Sequence, residues 1–211
     1  MSRRLALIGA GEHACVVVAA ARAAGWSVLG AVGAEAHPAL GCPHLGAVLE
    51  PAEALPLGSA AAWIMAIGIG VEPGFRTRLL RRWQDYDVDW ATVVHPRAWV
   101  AEDVRLGAGV LVGAGAIVQS GARIGDHSII NSGVVCEHHC RVGEQSHLAP
   151  GVVLGGGCQV GGHCLIGLGA VLRDHITIAD RALVAMGAVV VESVATATRV
   201  AGVPARCQGE S

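Results

Sequence analysis

The chain has 211 residues, a formal net charge of −2 and a hydrophobic content of 53%, with one Phe and one Tyr. All its cations are arginines, and they form no broad basic face, so the composition gives no sign of nucleic-acid binding. No stretch reaches the ~18 apolar residues of a membrane span, and the N-terminus has no signal-peptide pattern. We therefore expect a cytoplasmic protein of one or two domains with a small-molecule partner.

Residues 1–92 predict a small α/β domain with a parallel, Rossmann-like sheet. Leu5 to Ile8 is an apolar strand, a glycine turn follows at residues 9–13, and an Ala/Val-rich helix runs to about Ala24. Val28 to Val32 and Trp63 to Gly68 are the next strands. This order brings helix N-terminal amides to a place where a phosphate could bind, although glycines also serve turns that bind nothing.

The remainder of this region is less regular. Pro and Gly punctuate residues 37–56, which predicts mostly loop. Pro73 opens a second helix that runs to about Gln84. The arginines of this helix predict a solvated face; they are Arg76, Arg78, Arg81 and Arg82. The domain is too short for a complete dinucleotide-binding fold.

A six-residue period governs residues 93–211. Every sixth position from Val94 to Val190 is aliphatic or cysteine, and a second small or apolar residue follows each by four. A helix with 3.6 residues per turn cannot hold this phase. Short strands joined by turns, three per coil, would put every sixth side chain inside a triangular prism, with glycines such as Gly107 and Gly125 at tight corners. The pattern predicts a parallel β-helix.

Cysteines support the same phase. The chain has seven, an odd number. Four fall on inward positions: Cys136, Cys140, Cys158 and Cys164. We expect them to be reduced core residues, as in a cytoplasmic protein.

The repeat is least monotonous at residues 131–140, Asn-Ser-Gly-Val-Val-Cys-Glu-His-His-Cys. His138 and His139 fall off the inward phase and should project from the coil. Gly156 lies one 18-residue coil after His138 and Ser120 one coil before it, so small neighbours leave the imidazole in a groove. Surface histidines without a role are common, but an imidazole is a natural general base at neutral pH. His138 and His139 are therefore candidate catalytic residues.

Several segments resemble a known family. The β-helix, "IINSGVVCEHHCRVG", "SHLAPG" and "VAGVPAR" resemble the left-handed β-helix acyltransferases. The N-terminal "IGAGEHACV" is similar, more narrowly, to the sugar O- and N-acetyltransferases of the sialic-acid, bacillosamine and perosamine group. The resemblance runs from Leu5 to Arg206. It implies a homotrimer with acetyl-CoA as cosubstrate, no metal, and active sites between neighbouring subunits.

The resemblance also implies roles for individual residues. His138 would take a proton from the attacking amine or hydroxyl, which then attacks the thioester carbonyl directly. Five residues would bind the nucleotide-linked sugar: Gly11, Glu12, His13, Gly68 and Asn131. Four would line the acetyl-CoA groove: His147, Gly156, Gly167 and Leu168.

The chain departs from the family pattern in ways that bear on these roles. An acidic residue usually follows the base, whereas His139 stands there, so Glu137 or a carboxylate of a neighbouring subunit would have to orient His138. Gly33-Ala34 occupies the place of an acidic pair, and Ile69 follows Gly68 where Asn or Asp is usual. The nucleotide and the sugar stay open.

We predict an acetyl-CoA-dependent N-acetyltransferase acting on the amino group of a nucleotide-linked deoxy-amino sugar, such as a 4-amino sugar. O-acetylation of a sialic-acid-type sugar would use the same base. A non-catalytic sugar-binding β-helix is an alternative from another class. A zinc hydratase with three histidines would need two histidines five residues apart, and the β-helix contains no such pair.

Overall fold

The computed structural model describes residues 3–47, 50–57, 61–68 and 74–208. The chain divides into two compact units, residues 1–94 and residues 95–211. Pro73, the predicted start of a helix, and Ile69 lie outside the described residues. None of the described helices has the length and apolar character needed to cross a membrane.

The first unit contains a four-stranded parallel sheet with the order β3-β2-β1-β4. Its elements are β1 (Arg4–Ile8), α1 (Glu12–Ala23), β2 (Ser27–Val32), β3 (His44–Gly46), α2 (Pro51–Leu57), β4 (Ala62–Met65), α3 (Phe75–Trp83) and β5 (Val93–Val94). The chain runs outward from β1 to β3 and then returns to the other side of β1 with β4. The strand order therefore reverses between β1 and β4.

One apolar cluster joins this sheet to α2 and α3. Ala6 and Ile8 of β1 contribute to it, because alternate side chains of a strand point to the same face. The rings of Trp63 in β4 and Trp83 in α3 pack with their centroids 5.3 Å apart. The cluster is completed by Val32, Ala54, Met65, Leu79 and Leu80. Packing of this kind, rather than helix propensity, holds a nine-residue helix such as α3.

The prediction of mostly loop for residues 37–56 is wrong in part. This range contains β3 and most of α2. Strand β3 has only three residues and gains its order by pairing with β2, and α2 begins with Pro51, which the first turn of a helix tolerates. The same prolines and glycines that indicate a loop are thus compatible with short elements.

The predicted solvated face of α3 is correct for Arg78, Arg81 and Arg82, which are exposed, but wrong for Arg76. Arg76 is 5% exposed. It starts the stripe at positions 76, 79, 80 and 83, whose spacing follows one face of a helix, and that face is the buried one.

The second unit is a left-handed parallel β-helix, as the sequence predicts. Face I consists of β6 (Trp99–Val100), β9 (Ile117–Val118), β12 (Val135–Cys136), β15 (Val153–Leu154), β18 (Val171–Leu172) and β21 (Val189–Val190). Face II consists of β7 (Arg105–Leu106), β10 (Arg123–Ile124), β13 (Arg141–Val142), β16 (Gln159–Val160) and β19 (Thr177–Ile178). Face III contains β8 (Leu111–Val112), β11 (Ile129–Ile130), β14 (His147–Leu148), β17 (Leu165–Ile166), β20 (Leu183–Val184), β22 (Arg199–Ala201) and β23 (Arg206–Cys207).

The interior follows the predicted six-residue phase. Every inward position from Val112 to Val190 is buried, while Val100 and Leu106 are half-buried. From β6 to β21, strands pair with partners 18 residues away, as in Cys136 with Leu154, whereas β22 pairs with β20 at a spacing of 16. One coil therefore takes 18 residues and three turns.

Small polar side chains inside the prism bond to the backbone of the next coil. The hydroxyl of Ser128 donates to the carbonyl of Gly143 over 2.8 Å, and that of Ser146 donates to Gly161 over 2.7 Å. The four predicted core cysteines are buried, which confirms their inward phase, and no cysteine of the chain forms a disulfide. A hydrogen bond with the Cys136 side chain, with burial adding to it, raises the pKa of Cys140 to about 12, so this thiol stays protonated at neutral pH.

The glycines predicted at tight corners, such as Gly107 and Gly125, are required by contacts between coils rather than by a left-handed backbone. A Cβ at Gly125 would lie 2.5 Å from the backbone nitrogen of Glu144 in the next coil, so close approach of coils excludes a side chain there. The left-handed backbone of each corner falls two residues later, for example at Gly109 and at His127. These glycines therefore lie at corners, as predicted, but the close approach of the next coil, rather than a left-handed backbone, requires them.

Candidate active site

The β-helix has three series of corners, which we name by the faces they join. Corner I/II includes residues 119–122, 137–140 and 155–158, and corner III/I includes residues 131–134, 149–152, 167–170 and 185–188. His138 and His139 lie in corner I/II between β12 and β13, and both are exposed. Cys136 and Cys140, on either side of them, point into the core.

The two histidines contact each other through their Nδ1 atoms, which are 3.1 Å apart. Their ring centroids are 5.3 Å apart with an interplanar angle of 79°. One Nδ1 must donate and the other accept, so a His138 that donates from Nδ1 keeps the lone pair of its Nε2 free. That is the tautomer a general base requires at Nε2.

The rings turn toward opposite coils. A Cβ at Gly156 would lie 2.5 Å from Cε1 and 2.6 Å from Nε2 of His138. A Cβ at Gly121 would lie 2.9 Å from Cδ2 of His139. The absence of side chains at these two glycines therefore makes room for both imidazoles on the corner.

One carboxylate of this corner, that of Asp103, was missed by the sequence analysis; it lies one coil before Gly121. Asp103 Oδ2 accepts hydrogen bonds from the Ser120 hydroxyl over 2.8 Å and from the Gly121 amide over 2.9 Å. The Ser120 bond, then the Gly121 bond and the charge of His139, hold the pKa of Asp103 below its usual range. Asp103 precedes His139 by 36 residues, or two coils, and this spacing is the signal that could have found it.

Glu137 has another partner. Its Oε2 accepts a hydrogen bond from the backbone N–H of His138 over 3.4 Å. The carboxylate therefore contacts the backbone of His138, whereas Asp103 interacts electrostatically with His139.

A second group of predicted residues lies at corner III/I and on face III. Asn131 and His147 are both buried, and Nδ2 of Asn131 lies 3.1 Å from Nε2 of His147. The Oδ1 of Asn131 accepts from the Ser132 amide over 2.8 Å. This fixes the orientation of the amide, so Asn131 donates and His147 accepts at Nε2.

Exposed apolar side chains continue this corner. Leu168 is 54% exposed, and Met186, one coil further on, is 74% exposed. Gly167 precedes Leu168, and a Cβ there would lie 2.5 Å from the backbone nitrogen of Met186. Large apolar side chains stacked in the open are typical of a surface that binds a partner or a ligand.

The predicted site residues of the β-helix thus form two groups at successive corners of the prism. Corner I/II holds His138, His139 and Gly156, and the other group holds Asn131, His147, Gly167 and Leu168. Face I lies between the two corners. One prism does not bring the predicted base and the predicted sugar-binding Asn131 to one edge.

The predicted residues of the first unit meet at the carboxyl ends of β1 and β4. Gly11 is the N-cap of α1 and makes no side-chain cap, Glu12 is exposed, and His13 is mostly buried. A Cβ at Gly68 would lie 3.8 Å from Cγ of His13. Burial, and then the charge of Arg76, lower the pKa of His13 to about 4.

Within residues 3–47, 50–57, 61–68 and 74–208, no three His, Cys, Asp or Glu side chains are arranged to hold a metal ion. The cysteines beside the exposed histidines point inward, so these side chains diverge.

Two family models match the β-helix. The bacterial transferase hexapeptide (six repeats) model matches residues 103–138, and the hexapeptide repeat of succinyl-transferase matches residues 159–192. No curated protein sequence matches the chain.

Solved structures extend the likeness to the whole chain. A mutant of perosamine N-acetyltransferase from Caulobacter crescentus, in complex with CoA and GDP-perosamine, is 33% identical, with a TM-score of 0.87 over 98% of this chain and 97% of that one. The acetyltransferase domain of PglB from Neisseria gonorrhoeae, in complex with acetyl coenzyme A, is 27% identical, with a TM-score of 0.86 over 99% and 100% of the two chains.

These features define a hexapeptide-repeat acyltransferase. The chain belongs to the left-handed β-helix sugar acetyltransferases, the family of the perosamine N-acetyltransferase.

Proposed function

We propose that the protein transfers the acetyl group of acetyl-CoA to the amino group of a nucleotide-linked deoxy-amino sugar, with His138 as general base. The observation that carries the proposal is the His138 ring, whose Nδ1 is held by His139 and whose Nε2 edge lies over Gly156 at an exposed corner. The likeness to a structure that contains CoA and GDP-perosamine supports a GDP-linked 4-amino sugar as the first substrate to test.

In this mechanism the amine nitrogen attacks the thioester carbonyl, and Nε2 of His138 takes the proton that the nitrogen loses. Collapse of the tetrahedral species breaks the carbon–sulfur bond, and the CoA thiolate that leaves receives the proton from His138. The products are the N-acetyl sugar and CoA-SH, so atoms and charge balance. General base catalysis of this kind contributes roughly 10²–10⁴-fold in rate.

The backbone around His138 offers an oxyanion donor. The amide of Gly156 makes no hydrogen bond to any part of the chain that the structure describes, whereas the amides of Gly155 and Gly157 are both bonded. It lies beside the His138 ring. A preorganised amide at the developing negative charge typically supplies a large part of such catalysis.

His139 and Asp103 act as positioning residues in this proposal. His139 accepts from Nδ1 of His138, and the charge of Asp103 acts on His139. This arrangement takes the place of the acidic residue that usually follows the base in the family. It favours the His138 tautomer with a free Nε2 and stabilises the imidazolium that forms when Nε2 takes the proton.

The separation of the two corner groups supports a homotrimer with its active sites between subunits. In that assembly His138 of one subunit would meet Asn131 and His147 of a neighbour. The exposed ridge formed by Leu168 and Met186, which we name the Leu168 ridge, would be covered. His147, Gly156, Gly167 and Leu168 would line the acetyl-CoA groove, and Asn131 would bind the sugar. The free cysteines favour a reducing compartment, the cytoplasm.

The carboxyl edge of β1 and β4 supports a nucleotide site in the first unit. Gly11, Glu12, His13 and Gly68 would surround the nucleotide-linked end of the substrate at the reversal of strand order. Glu12 faces solvent, which keeps its charge at the rim.

The test is release of CoA thiol from acetyl-CoA in the presence of GDP-, UDP- and dTDP-linked 4-amino sugars, with free sialic acid as the hydroxyl acceptor. We expect turnover on one amino sugar and loss of about 10²–10⁴-fold in kcat for His138→Ala, with acetyl-CoA binding unchanged. His175→Ala, an exposed histidine on the same corner series, is the matched control and should keep full activity.

Turnover with sialic acid alone would replace N-acetylation by O-acetylation. Sugar binding without any turnover would instead assign a non-catalytic role.

A further inference from the structure

A buried charge in the first unit, that of Arg76, has no hydrogen-bond partner in the part of the chain that the structure describes. Arg76 is 5% exposed, and its Nε, Nη1 and Nη2 atoms have no hydrogen-bond partner among the described residues. Burial lowers its pKa to about 10, which still leaves a cation at neutral pH. Buried cations are stable only when an anion or strong acceptors compensate for their lost hydration. The position therefore calls for an anionic ligand.

The helix geometry shows where this charge lies. Leu79, Leu80 and Trp83 of α3 pack on Ile8 and Met65 in the core cluster. Arg76 starts the same stripe one turn nearer the helix N-terminus, and helical side chains tilt toward that end. Its guanidinium therefore sits above the cluster, near the carboxyl ends of β1 and β4.

The first turn of α1 lies within electrostatic reach of this guanidinium. His13 is the second residue of α1, as Arg76 is the second residue of α3. Arg76 is the one charged group that lowers the pKa of His13 among the described residues, so the two side chains are within electrostatic reach. Gly11, the N-cap, provides no side-chain acceptor for the first-turn amides. An anion at this point would be favoured by the helix dipole as well.

No acidic side chain among the described residues forms an ion pair with Arg76. Glu12, the acid of this turn, is exposed and forms no ion pair with Arg76 among the described residues. The strand order reverses between β1 and β4, which is where open parallel sheets bind ligands. A guanidinium fork beside the first turn of a helix matches the oxygens of a phosphate better than a single carboxylate.

We propose that Arg76 is the diphosphate-binding cation of this protein and holds its ligand against the N-terminal turn of α1, beside His13 and Gly68. The assignment rests on the proposed function, because it takes the ligand to be the diphosphate of the nucleotide-linked sugar. It makes Arg76 a determinant of substrate affinity rather than of the acetyl-transfer step.

The experiment is calorimetric titration of GDP, UDP, dTDP, the matching nucleosides and inorganic pyrophosphate into the full chain and its variants. Arg76→Met removes the charge at similar length, Arg76→Lys keeps the charge without the fork, and Arg81→Met removes an exposed charge of the same helix. For the nucleoside diphosphate that binds best, we expect roughly 10- to 100-fold weaker binding with Arg76→Met. The loss should be smaller with Arg76→Lys and absent with Arg81→Met, and nucleoside affinity should not change.

The His13 ring provides a readout that a merely structural role would not move. Diphosphate binding should raise the pKa of His13 in the parent protein, because an anion beside the imidazole favours its charged form, and this shift should be lost in Arg76→Met at the same ligand concentration. Imidazole NMR titration with and without ligand measures both results. An unchanged His13 pKa on ligand binding, or the same shift in both proteins, would overturn the proposal.

Other results also decide the question. Unchanged diphosphate affinity in both Arg76 variants, with or without a lower melting temperature, would make Arg76 structural and overturn the inference. Tighter binding of pyrophosphate than of every nucleoside diphosphate would overturn the nucleotide assignment. Normal acetyl transfer with unchanged affinity in Arg76→Met would refute this inference alone, whereas Arg76-dependent binding without any acetyl transfer would refute the proposed reaction alone.

Discussion

His139 occupies a backbone position that most side chains avoid. Its φ is 60°, in the left-handed region that histidine tolerates better than bulky or β-branched residues. The same corner position one coil before and one coil after holds Gly121 and Gly157. A histidine here brings an imidazole to His138 while keeping the corner.

Asp103→Asn tests this positioning role. The amide oxygen can still accept from Gly121, so the corner should keep its structure, but the charge that acts on His139 is lost. We expect kcat to fall roughly 10-fold with KM unchanged, by analogy with the hydrogen-bond partners of metal-ligating histidines, whose loss typically costs 10–100-fold. Imidazole nitrogen NMR should show a smaller fraction of His138 protonated at Nδ1.

The control for this variant is Asp180→Asn. Asp180 Oδ1 accepts from the Gly162 amide over 2.9 Å on another corner, in the same manner, but away from the histidines. Equal losses of kcat in the two variants, or a loss confined to KM, would contradict the relay from Asp103 through His139.

Asp103 and Arg76 show which site residues can be identified from the sequence and which cannot. Asp103 could have been found from sequence, because the 18-residue coil aligns it with Gly121 and His139. Arg76 could not have been assigned by composition, since helix arginines are usually solvated, and only the phase set by Leu79 and Leu80 identifies it as buried. The contact of the two Nδ1 atoms depends on side-chain rotation, which no sequence pattern specifies.

At the scale of the coil, two kinds of glycine contact differ in what an added Cβ would meet. At Gly125 it would meet backbone of the next coil, 2.5 Å from the nitrogen of Glu144. At Gly156 it would meet the end of an exposed ring, 2.5 Å from Cε1 of His138. Backbone cannot yield without separating the coils, whereas the ring can rotate away.

Gly156→Ala and Gly125→Ala should therefore separate activity from stability. For Gly156→Ala we expect kcat to fall roughly 10-fold or more, because the base is displaced while the amide of residue 156 is kept. Its free energy of unfolding should change by less than about 0.5 kcal/mol. For Gly125→Ala we expect a loss of roughly 1–3 kcal/mol in the free energy of unfolding.

Chemical denaturation and steady-state kinetics measure these changes. A stable and fully active Gly156→Ala would mean that the His138 ring does not need its place over residue 156. A Gly125→Ala of parental stability would show that the coils can separate there without cost.

The elements themselves were predictable in proportion to their regularity. The six-residue period determines the inward face of the β-helix strands from Val112 to Val190. Strand β3 and helix α2 have three and seven residues, too few to show a period of their own, and they depend on pairing with β2 and on packing of Ala54 in the core. Short elements of this kind are specified by their neighbours rather than by local sequence.

For the molecule as a whole, the distribution of the site residues over two corners has a direct consequence for assembly. If His138 and Asn131 act together across a subunit boundary, two inactive variants can complement each other. In random trimers of His138→Ala and Asn131→Ala subunits, about one site in four would combine both intact residues. A site built within one subunit would never do so.

We therefore expect co-expressed His138→Ala and Asn131→Ala subunits to recover about one quarter of the parental activity, while each variant alone is inactive. Two different affinity tags isolate the mixed trimers, in which one of the three sites is intact, so their activity should rise to about one third. Light scattering should give a mass of about 64 kDa for three copies of the 21.4 kDa chain. Background activity in the mixture, or a monomeric mass, would contradict the shared site.

The 18-residue coil also fixes the spacing of residues along the prism axis. An insertion of six residues within the β-helix would shift every later corner to the next edge of the prism. An insertion between Leu168 and Met186 would therefore place these two residues on different edges. Only an insertion of a whole coil keeps the edges aligned, and it separates the groups on either side of it by about 4.8 Å. Distances along the prism axis therefore change in steps of one coil, and finer tuning of the site is left to substitutions at its corners.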